Sequence, residues 1–220
     1  MDSLAQDLCR IGRSLSERGY VHASAGNISV RLDDAEGGGW LITPTDASLG
    51  TLQPEMLARI DAQGRQLSGD RASKTLALHQ RIYAADPSAR CVIHTHATHL
   101  VALTLTGVWQ PQDIVPPLTP YYVMKVGHVP LVPYRRPGDP AVAEWVAQAI
   151  TASQQRKLPL RAVMLDRLGP VVWHGSLAEA SATLEELEET ARLWLLSERK
   201  AQPLAEDHIE ELRRTFGALW

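Results

Sequence analysis

The sequence predicts a mixed α/β fold in which a sheet is layered against helices. Apolar residues recur at helical spacing in several long segments, and short apolar runs bounded by turn residues lie between these segments. The chain of 220 residues is long enough for one sizeable core, and no linker rich in glycine, serine or proline divides it. We therefore expect a single domain over residues 1–220.

The first half of the chain is predicted to contain two helices and four strands. Apolar residues from Leu4 to Leu15 lie on one side of a helix over residues 3–18, and Gly19 provides its C-terminal cap. A second helix is predicted over residues 75–83. Strands are predicted over residues 28–32, 40–42, 56–60 and 91–94, the first of them half-buried because apolar and polar residues alternate.

The second half continues the alternation of helices and strands. Helices are predicted over residues 141–152, 177–196 and 204–216, and strands over residues 129–132, 162–165 and 171–173. The longest of these helices carries four acidic side chains: Glu185, Glu186, Glu188 and Glu189. We expect this acidic run to form a solvated face of the helix.

Composition and charge argue against several kinds of partner. The formal net charge is −3 and both signs are interspersed, so nothing favours nucleic acid or an anionic membrane. The amino-terminal segment carries charges throughout, unlike a signal peptide or a spanning helix, and no later segment has the apolar length to cross a bilayer. Cys9 and Cys91 fall within predicted buried faces, as reduced thiols often do. These properties predict a cytoplasmic protein.

His94 and His96 flank Thr95 at the end of an apolar run, and this pair is the most informative feature of the chain. In an extended strand, residues two apart point the same way, so both imidazoles are expected to face one spot. Neutral imidazole is a common ligand of zinc and related divalent ions. Two histidines do not complete a catalytic zinc site, which usually has three protein ligands. The pair is therefore either part of a metal site or simply two histidines at a strand end.

The histidine pair is the last of four polar segments that follow one another along the chain. They are Ser24-Ala25-Gly26-Asn27-Ile28-Ser29, Thr43-Pro44-Thr45, Ser68-Gly69-Asp70-Arg71-Ala72-Ser73-Lys74 and His94-Thr95-His96. Together with residues 130–134 and 169–172, these segments resemble the class II aldolase/adducin family over nearly the whole chain. Within that family, residues 120–139 and 184–191 look most like the decarboxylases of 3-oxotetronate 4-phosphates.

The resemblance implies a class II aldolase-like three-layer fold, with a central, mainly antiparallel sheet flanked by helices. It also implies a homotetramer with active sites between subunits, and one zinc or other divalent metal per subunit. Three histidines hold the metal in the family, and two of them match His94 and His96. We expect subunit contacts on the apolar side of the helix over residues 177–196 or at Tyr121 and Tyr122, because large apolar side chains are frequent in this half.

The resemblance further implies a substrate phosphate held by groups at Asn27, Thr45 and Ser73, with Lys74 beside them. Gly26 allows backbone N–H groups to approach an anion closely, and hydroxyl groups add neutral donors. Taken alone, such polar loops are more often plain turns. The implied substrate is a small sugar-acid phosphate or ketose phosphate.

The resemblance also implies the type of reaction. Lyases of this family generate an enediolate, whose developing negative charge a chelating metal stabilises. Decarboxylation of a 3-oxo acid needs the same electron sink, followed by delivery of one proton to carbon. Tyr121 and Tyr122 lie near the position where relatives present a tyrosine to a neighbouring subunit's site, so either is a candidate donor. Tyrosines beside a proline are more often packing residues.

Three positions depart from the family pattern. Thr75 occupies the catalytic position where relatives commonly place a glutamate that acts as acid and base, and a hydroxyl cannot replace a carboxylate in that role. Leu168 occupies the position of the third metal histidine. Asp46 replaces a usual glycine and brings a carboxylate beside the expected phosphate, a repulsion that Lys74 or Arg167 would offset.

These departures leave more than one function open. In a rebuilt site, His99, His128, Asp166 or water replaces the missing ligand. Otherwise catalysis is lost and an oligomeric binding protein of the adducin-head type remains. A dehydratase or an epimerase acting through the same enediolate is a third alternative. The leading hypothesis is a metal-dependent carbon–carbon lyase, with decarboxylation preferred over aldol cleavage.

Overall fold

The computed structural model describes residues 2–220, in which an eight-stranded sheet carries helices on both faces. The strands are β1 Asn27–Arg31, β2 Trp40–Ile42, β3 Ala58–Ile60, β4 Gln66–Ser68, β5 Cys91–His94, β6 Leu131–Val132, β7 Ala162–Leu165 and β8 Gly169–His174. Their spatial order is β4-β3-β2-β1-β5-β8-β7-β6. Neighbouring strands are antiparallel except β6 and β7, which are parallel.

Helices cover both faces of the sheet. They are α1 Asp2–Glu17, α2 Leu76–Ala85, α3 Thr98–Thr106, α4 Pro120–Lys125, α5 Pro140–Gln155, α6 Leu177–Leu196 and α7 Glu206–Phe216. One apolar core lies between the sheet and α1, α3, α4 and α6, and a second lies between the opposite face and α2 with α5. The last helix, α7, packs against α4. The predicted central, mainly antiparallel sheet flanked by helices is confirmed.

The strand predicted over residues 56–60 is shorter than expected. Pro54–Met56 forms a 3₁₀ turn, and β3 begins only at Ala58. Proline favours the first position of such a turn because its φ is fixed and its missing N–H would have no partner there.

The strand β1 is buried on both faces, whereas its alternating pattern predicted burial on one. Ser29 is fully buried, and its hydroxyl is hydrogen-bonded to His79 and Tyr83 of α2. The polar residues of this strand therefore lie in an internal hydrogen-bond network instead of facing water.

The acidic run of α6 is not a fully solvated face, so that prediction is wrong at Glu188. The Glu188 side chain is buried, and its carboxylate accepts hydrogen bonds from the backbone N–H groups of His99 and Leu100, at 2.9 and 3.1 Å. These groups lie in the first turn of α3, where backbone donors lack helical partners and negative charge is favoured. Glu188 thus fixes the start of α3.

The apolar side of α6 is covered by other parts of the same chain. Leu184, Leu187 and Trp194 are buried in the core that this helix shares with the sheet. The expectation that this side makes subunit contacts is therefore wrong. Exposed apolar side chains lie instead at its carboxyl-terminal end, at Leu193 and Leu196.

Two further sequence expectations concern membranes and thiols. Among the helices of residues 2–220, none combines the length and the apolar character needed to cross a membrane. Cys9 and Cys91 are both buried free thiols, as predicted.

Candidate active site

One cavity is lined by every residue that the family resemblance assigns to metal or phosphate binding. It has a volume of about 480 Å³ and lies where the end of β5 meets the loop after β2 and the amino-terminal ends of α2 and α5. Its lining includes Asn27, Thr45, Ser73, Lys74, Thr75, His94 and His96. A cavity of this size suits a small ligand.

His94 and His96 face the cavity with their ring centres 5.2 Å apart. The Nδ1 atom of His94 lies 2.9 Å from the carbonyl oxygen of Pro170, which can only accept, so Nδ1 carries the proton. Burial, followed by the neighbouring His96, lowers the pKa of His94 to about 4. The ring is therefore neutral at pH 7 and its Nε2 lone pair is free, which is the usual arrangement of a metal-ligating histidine.

The turn between the two histidines is held by a glycine. Gly169 has a φ of +127°, and a Cβ atom there would lie 2.0 Å from the carbonyl oxygen of Thr95. Only glycine allows the start of β8 to pack this closely. The same contact places Pro170 where it can accept the hydrogen bond from His94.

Asn27 is oriented by a buried network behind the cavity. The Tyr83 hydroxyl donates to Ser29 Oγ at 2.8 Å, and Ser29 Oγ donates to His79 Nδ1 at 2.7 Å. His79 Nε2 then donates to Asn27 Oδ1 at 2.6 Å. Burial, followed by His94, lowers the pKa of His79 to about 3, so its ring is neutral and can act as donor at one nitrogen and acceptor at the other. The amide NH₂ of Asn27 remains available to a ligand.

The opposite wall carries hydroxyl groups and one paired cation. The hydroxyls of Ser73 and Thr75 lie 2.9 Å apart, just before α2 begins. Lys74 Nζ lies 3.4 Å from both carboxylate oxygens of Asp46. Asp46 has a φ of +59°, a left-handed conformation that favours glycine but that aspartate tolerates. The predicted compensation of Asp46 by Lys74 is thus present in the structure.

The two candidate tyrosines lie outside the cavity lining. Tyr122 is fully buried with its ring centre 5.5 Å from that of Trp220, and its hydroxyl has no hydrogen-bond partner in the described part of the chain. Tyr121, by contrast, is 62% exposed on α4. Of these two tyrosines, Tyr121 is therefore the one whose side chain is accessible at the surface.

The alternative metal ligands are engaged elsewhere. His99 Nδ1 lies 2.7 Å from the carboxylate of Glu188, and His128 Nδ1 lies 2.9 Å from that of Asp113. Asp166 and Arg167 do not line the cavity, whereas Leu168 does. The structure therefore does not bring any of these three candidate ligands to His94 and His96.

Sequence reasoning missed two residues near the site. The ring centre of His22 lies 6.0 Å from that of His96, and Arg136 lines the cavity. The only sequence signal for His22 is its position just before the polar segment that contains Asn27. Its proximity to His96 depends on the pairing of Asn27 with His94 across β1 and β5, which the sequence does not show.

The fold is a mainly antiparallel sheet with a pair of histidines at the end of β5, and these histidines face polar loops within one cavity. The chain matches the model of the Class II Aldolase and Adducin N-terminal domain family over residues 6–195, and it belongs to that family. The 3-oxo-tetronate 4-phosphate decarboxylase of Cupriavidus necator is 55% identical over 99% of this chain and 97% of its own length. The Escherichia coli enzyme of the same name is 41% identical, over 96% and 95% of the two chains.

Solved structures show the same fold. The crystal structure of YgbL from Escherichia coli has a TM-score of 0.87 and 41% identity, covering 96% of this chain and 98% of that one. The L-fuculose-1-phosphate aldolase of Thermus thermophilus has a TM-score of 0.74 and 26% identity, covering 92% and 98%. The predicted class II aldolase-like fold is thus confirmed.

The residues of the cavity fit a divalent metal through two imidazoles. Class II aldolases are generally dependent on such a metal. His94 and His96 supply two neutral nitrogen donors within one cavity. Within residues 2–220, however, no three His, Cys, Asp or Glu side chains already converge as a metal site. The remaining positions are open to water, to substrate or to a side chain that moves.

Proposed function

We propose that this protein is a metal-dependent carbon–carbon lyase that decarboxylates a 3-oxotetronate 4-phosphate. The observation that carries the proposal is the convergence of His94 and His96 with the predicted phosphate-binding groups in one cavity. The similarity to decarboxylases over nearly the full chain supports the same reaction.

The proposed substrate carries a phosphate at one end and a carboxylate at the other. The Asn27 amide and the hydroxyls of Thr45 and Ser73 donate hydrogen bonds to the phosphate, and Lys74 adds a positive charge. Arg136 lines the same cavity and is the cation suited to the substrate carboxylate, since guanidinium pairs well with planar anions. Both ends of the substrate are thereby held in the cavity that the histidine pair lines.

The reaction breaks the bond between C1 and C2 of the substrate. Carbon dioxide leaves, the electron pair is delocalised onto the 3-oxo oxygen, and a proton then adds to C2 to give a three-carbon keto phosphate. A divalent metal on His94 and His96, which we propose to be zinc at one per subunit, would stabilise negative charge on the substrate oxygens. Tyr121, exposed on α4, delivers the proton in a neighbouring subunit's site. The Thr75 hydroxyl cannot act as a base in the way a carboxylate does. Its proposed role is to form a hydrogen bond to water or substrate in the cavity.

Assembly and location are part of the proposal. A homotetramer is supported by exposed apolar side chains that leave surface for subunit contacts: Tyr121, Leu105, Leu193, Leu196 and Phe216. A cytoplasmic location is supported separately, by two free cysteine thiols. Light scattering at micromolar concentration tests the assembly, and a monomer would contradict it.

A second candidate function is an oligomeric binding protein without catalysis. Leu168 and Thr75 line the cavity where the family pattern places a metal ligand and an acid/base, and this favours loss of turnover. Such a protein would bind the phosphate compound and leave it unchanged.

The two functions are separated by a turnover assay with a panel of substrates. Purified protein supplied with zinc, manganese or cobalt is incubated with 3-oxotetronate 4-phosphates and with ketose 1-phosphates. We expect carbon dioxide from the former, little aldol cleavage of the latter, and no turnover by His94→Ala. Tight binding without turnover of any substrate would overturn the lyase and support the binding protein. Faster cleavage of ketose phosphates would instead make the protein an aldolase.

A further inference from the structure

The loop between α1 and β1 places a third imidazole beside the histidine pair. His22 is exposed, and its ring centre lies 6.0 Å from that of His96. The ring centre of His96 in turn lies 5.2 Å from that of His94, so His96 neighbours both of the other imidazoles.

The backbone around His22 holds this loop against the end of β5. Gly26 has a φ of +82°, and a Cβ atom there would lie 2.8 Å from both the carbonyl oxygen of His94 and a methyl group of Val21. The His22 carbonyl also accepts a hydrogen bond from Ala25 N at 2.9 Å, which closes the loop into a turn. Val21 is buried, so it anchors the backbone directly before the exposed imidazole.

The spacing of the rings is close to that of a shared metal. Two imidazoles bound to one tetrahedral zinc through 2.0–2.1 Å bonds have ring centres about 5 Å apart. The separation of His94 and His96 meets this value. The separation of His22 and His96 exceeds it by about 1 Å, a distance that side-chain rotation of an exposed histidine on a surface loop readily covers.

We propose that His22 is the third protein ligand of the divalent metal, completing a His22, His94 and His96 site in place of the histidine that Leu168 has replaced. The ligand would then come from the loop before β1 instead of the β7–β8 turn. This inference rests on the metal dependence proposed above and goes beyond it, because it assigns the coordination to a residue on a different element.

Metal affinity, measured without any turnover assay, tests this assignment. Zinc is removed with a chelator, and the dissociation constant is measured by competition with a chromophoric chelator for the wild type, His22→Ala, His22→Gln and His94→Ala. His208→Ala is the matched control, since His208 is an exposed histidine on α7 away from the cavity. Cobalt is bound in parallel, because its visible absorption depends on coordination number and ligand type.

We expect both His22 variants to bind zinc at least about 10-fold more weakly than the wild type, because losing a ligand costs no less than losing a group that only supports one. Their cobalt spectrum should change as well, and His208→Ala should be unchanged. The inference would be overturned if the wild type and His22→Ala had equal zinc affinity and equal cobalt spectra. It would also be overturned if His22→Gln kept full zinc affinity, because the His22 side chain would then have only a packing role. If His94→Ala still abolishes binding in those cases, the proposed function stands. If the wild type and His94→Ala bind equally poorly, the metal dependence itself fails and the inference fails with it.

Discussion

His79 Nε2 donates a hydrogen bond of 2.6 Å to Asn27 Oδ1, and this contact decides what the Asn27 amide can offer a ligand. With the oxygen occupied behind the cavity wall, only the NH₂ group can point into the cavity that Asn27 lines. A neutral donor suits an anionic phosphate. His79 therefore acts through Asn27 as a positioning residue and does not itself line the cavity.

Replacing His79 should weaken substrate binding more than it slows chemistry. His79→Phe keeps a ring of similar size but removes the hydrogen bond to Asn27, so we expect KM to rise about 10-fold with a smaller change in kcat, as for the loss of one useful hydrogen bond. The matched control is Ser29→Ala, which leaves the bond between His79 and Asn27 in place and should change KM less. A KM for His79→Phe within twofold of the wild type would contradict the positioning role.

The depressed pKa of His79 should make the folded state weaker in acid. Its pKa is about 3 in the folded protein, from burial and then His94, against about 6.5 in an unfolded chain. Between these values the unfolded state binds a proton that the folded state does not, so the free energy of unfolding falls as pH falls. This one site contributes at most about 1.4 kcal/mol per pH unit.

Urea unfolding of the wild type and His79→Gln at pH 7, 6 and 5 measures this contribution. We expect a shallower pH dependence in the variant, with some slope remaining because the pKa of His94 is depressed in the same direction. Identical slopes in the two proteins would show that the buried imidazole does not titrate as described.

The ion pair between Lys74 and Asp46 should set the affinity for the substrate phosphate. Lys74→Gln removes the positive charge, and we expect KM to rise about 10-fold because a charge-assisted contact is lost. Asp46→Asn removes the competing carboxylate while keeping a residue that tolerates positive φ, and it should lower KM. Lys200→Gln, an exposed lysine on the segment after α6, is the control. A rise in KM for Asp46→Asn would contradict this account.

The buried carboxylate of Glu188 should contribute more to stability than its neighbours on α6. Glu188→Ala leaves the backbone donors of His99 and Leu100 without their acceptor, and we expect a loss of about 2–3 kcal/mol in the free energy of unfolding. Glu189→Ala removes only an exposed pair with Arg192 and should change stability by less than about 0.5 kcal/mol. Comparable losses in both variants, measured by urea unfolding, would show that Glu188 has no special role.

The sequence predicts those parts of the structure that local patterns determine. The bounds of α6 agree with its long helical pattern, and the strand that ends at His94 was visible as a short apolar run. The strand β4 was not predicted, because a three-residue segment with one apolar residue is too short to show a pattern, and all three residues are exposed at the edge of the sheet. The extent of the chain as one domain stays a prediction.

Contacts between distant segments account for what sequence reasoning missed, both at the site and elsewhere in the fold. Glu188 is buried only because α3 begins beside it, and its sequence neighbours gave no sign of this contact. The position of His22 depends in the same way on the register of β1 against β5. By contrast, the shared direction of His94 and His96 follows from their spacing in one extended segment, and it could be predicted.

The central claim is that this protein is a decarboxylase that depends on a metal held by His94 and His96. The most direct test is to titrate zinc into chelator-treated protein while measuring carbon dioxide release from 3-oxotetronate 4-phosphate. We predict that the rate rises with added zinc, saturates at one equivalent per subunit, and stays at background in the double variant His94→Ala with His96→Ala. Carbon dioxide release that is absent at every zinc concentration, or that is equal in the wild type and the double variant, would contradict the account.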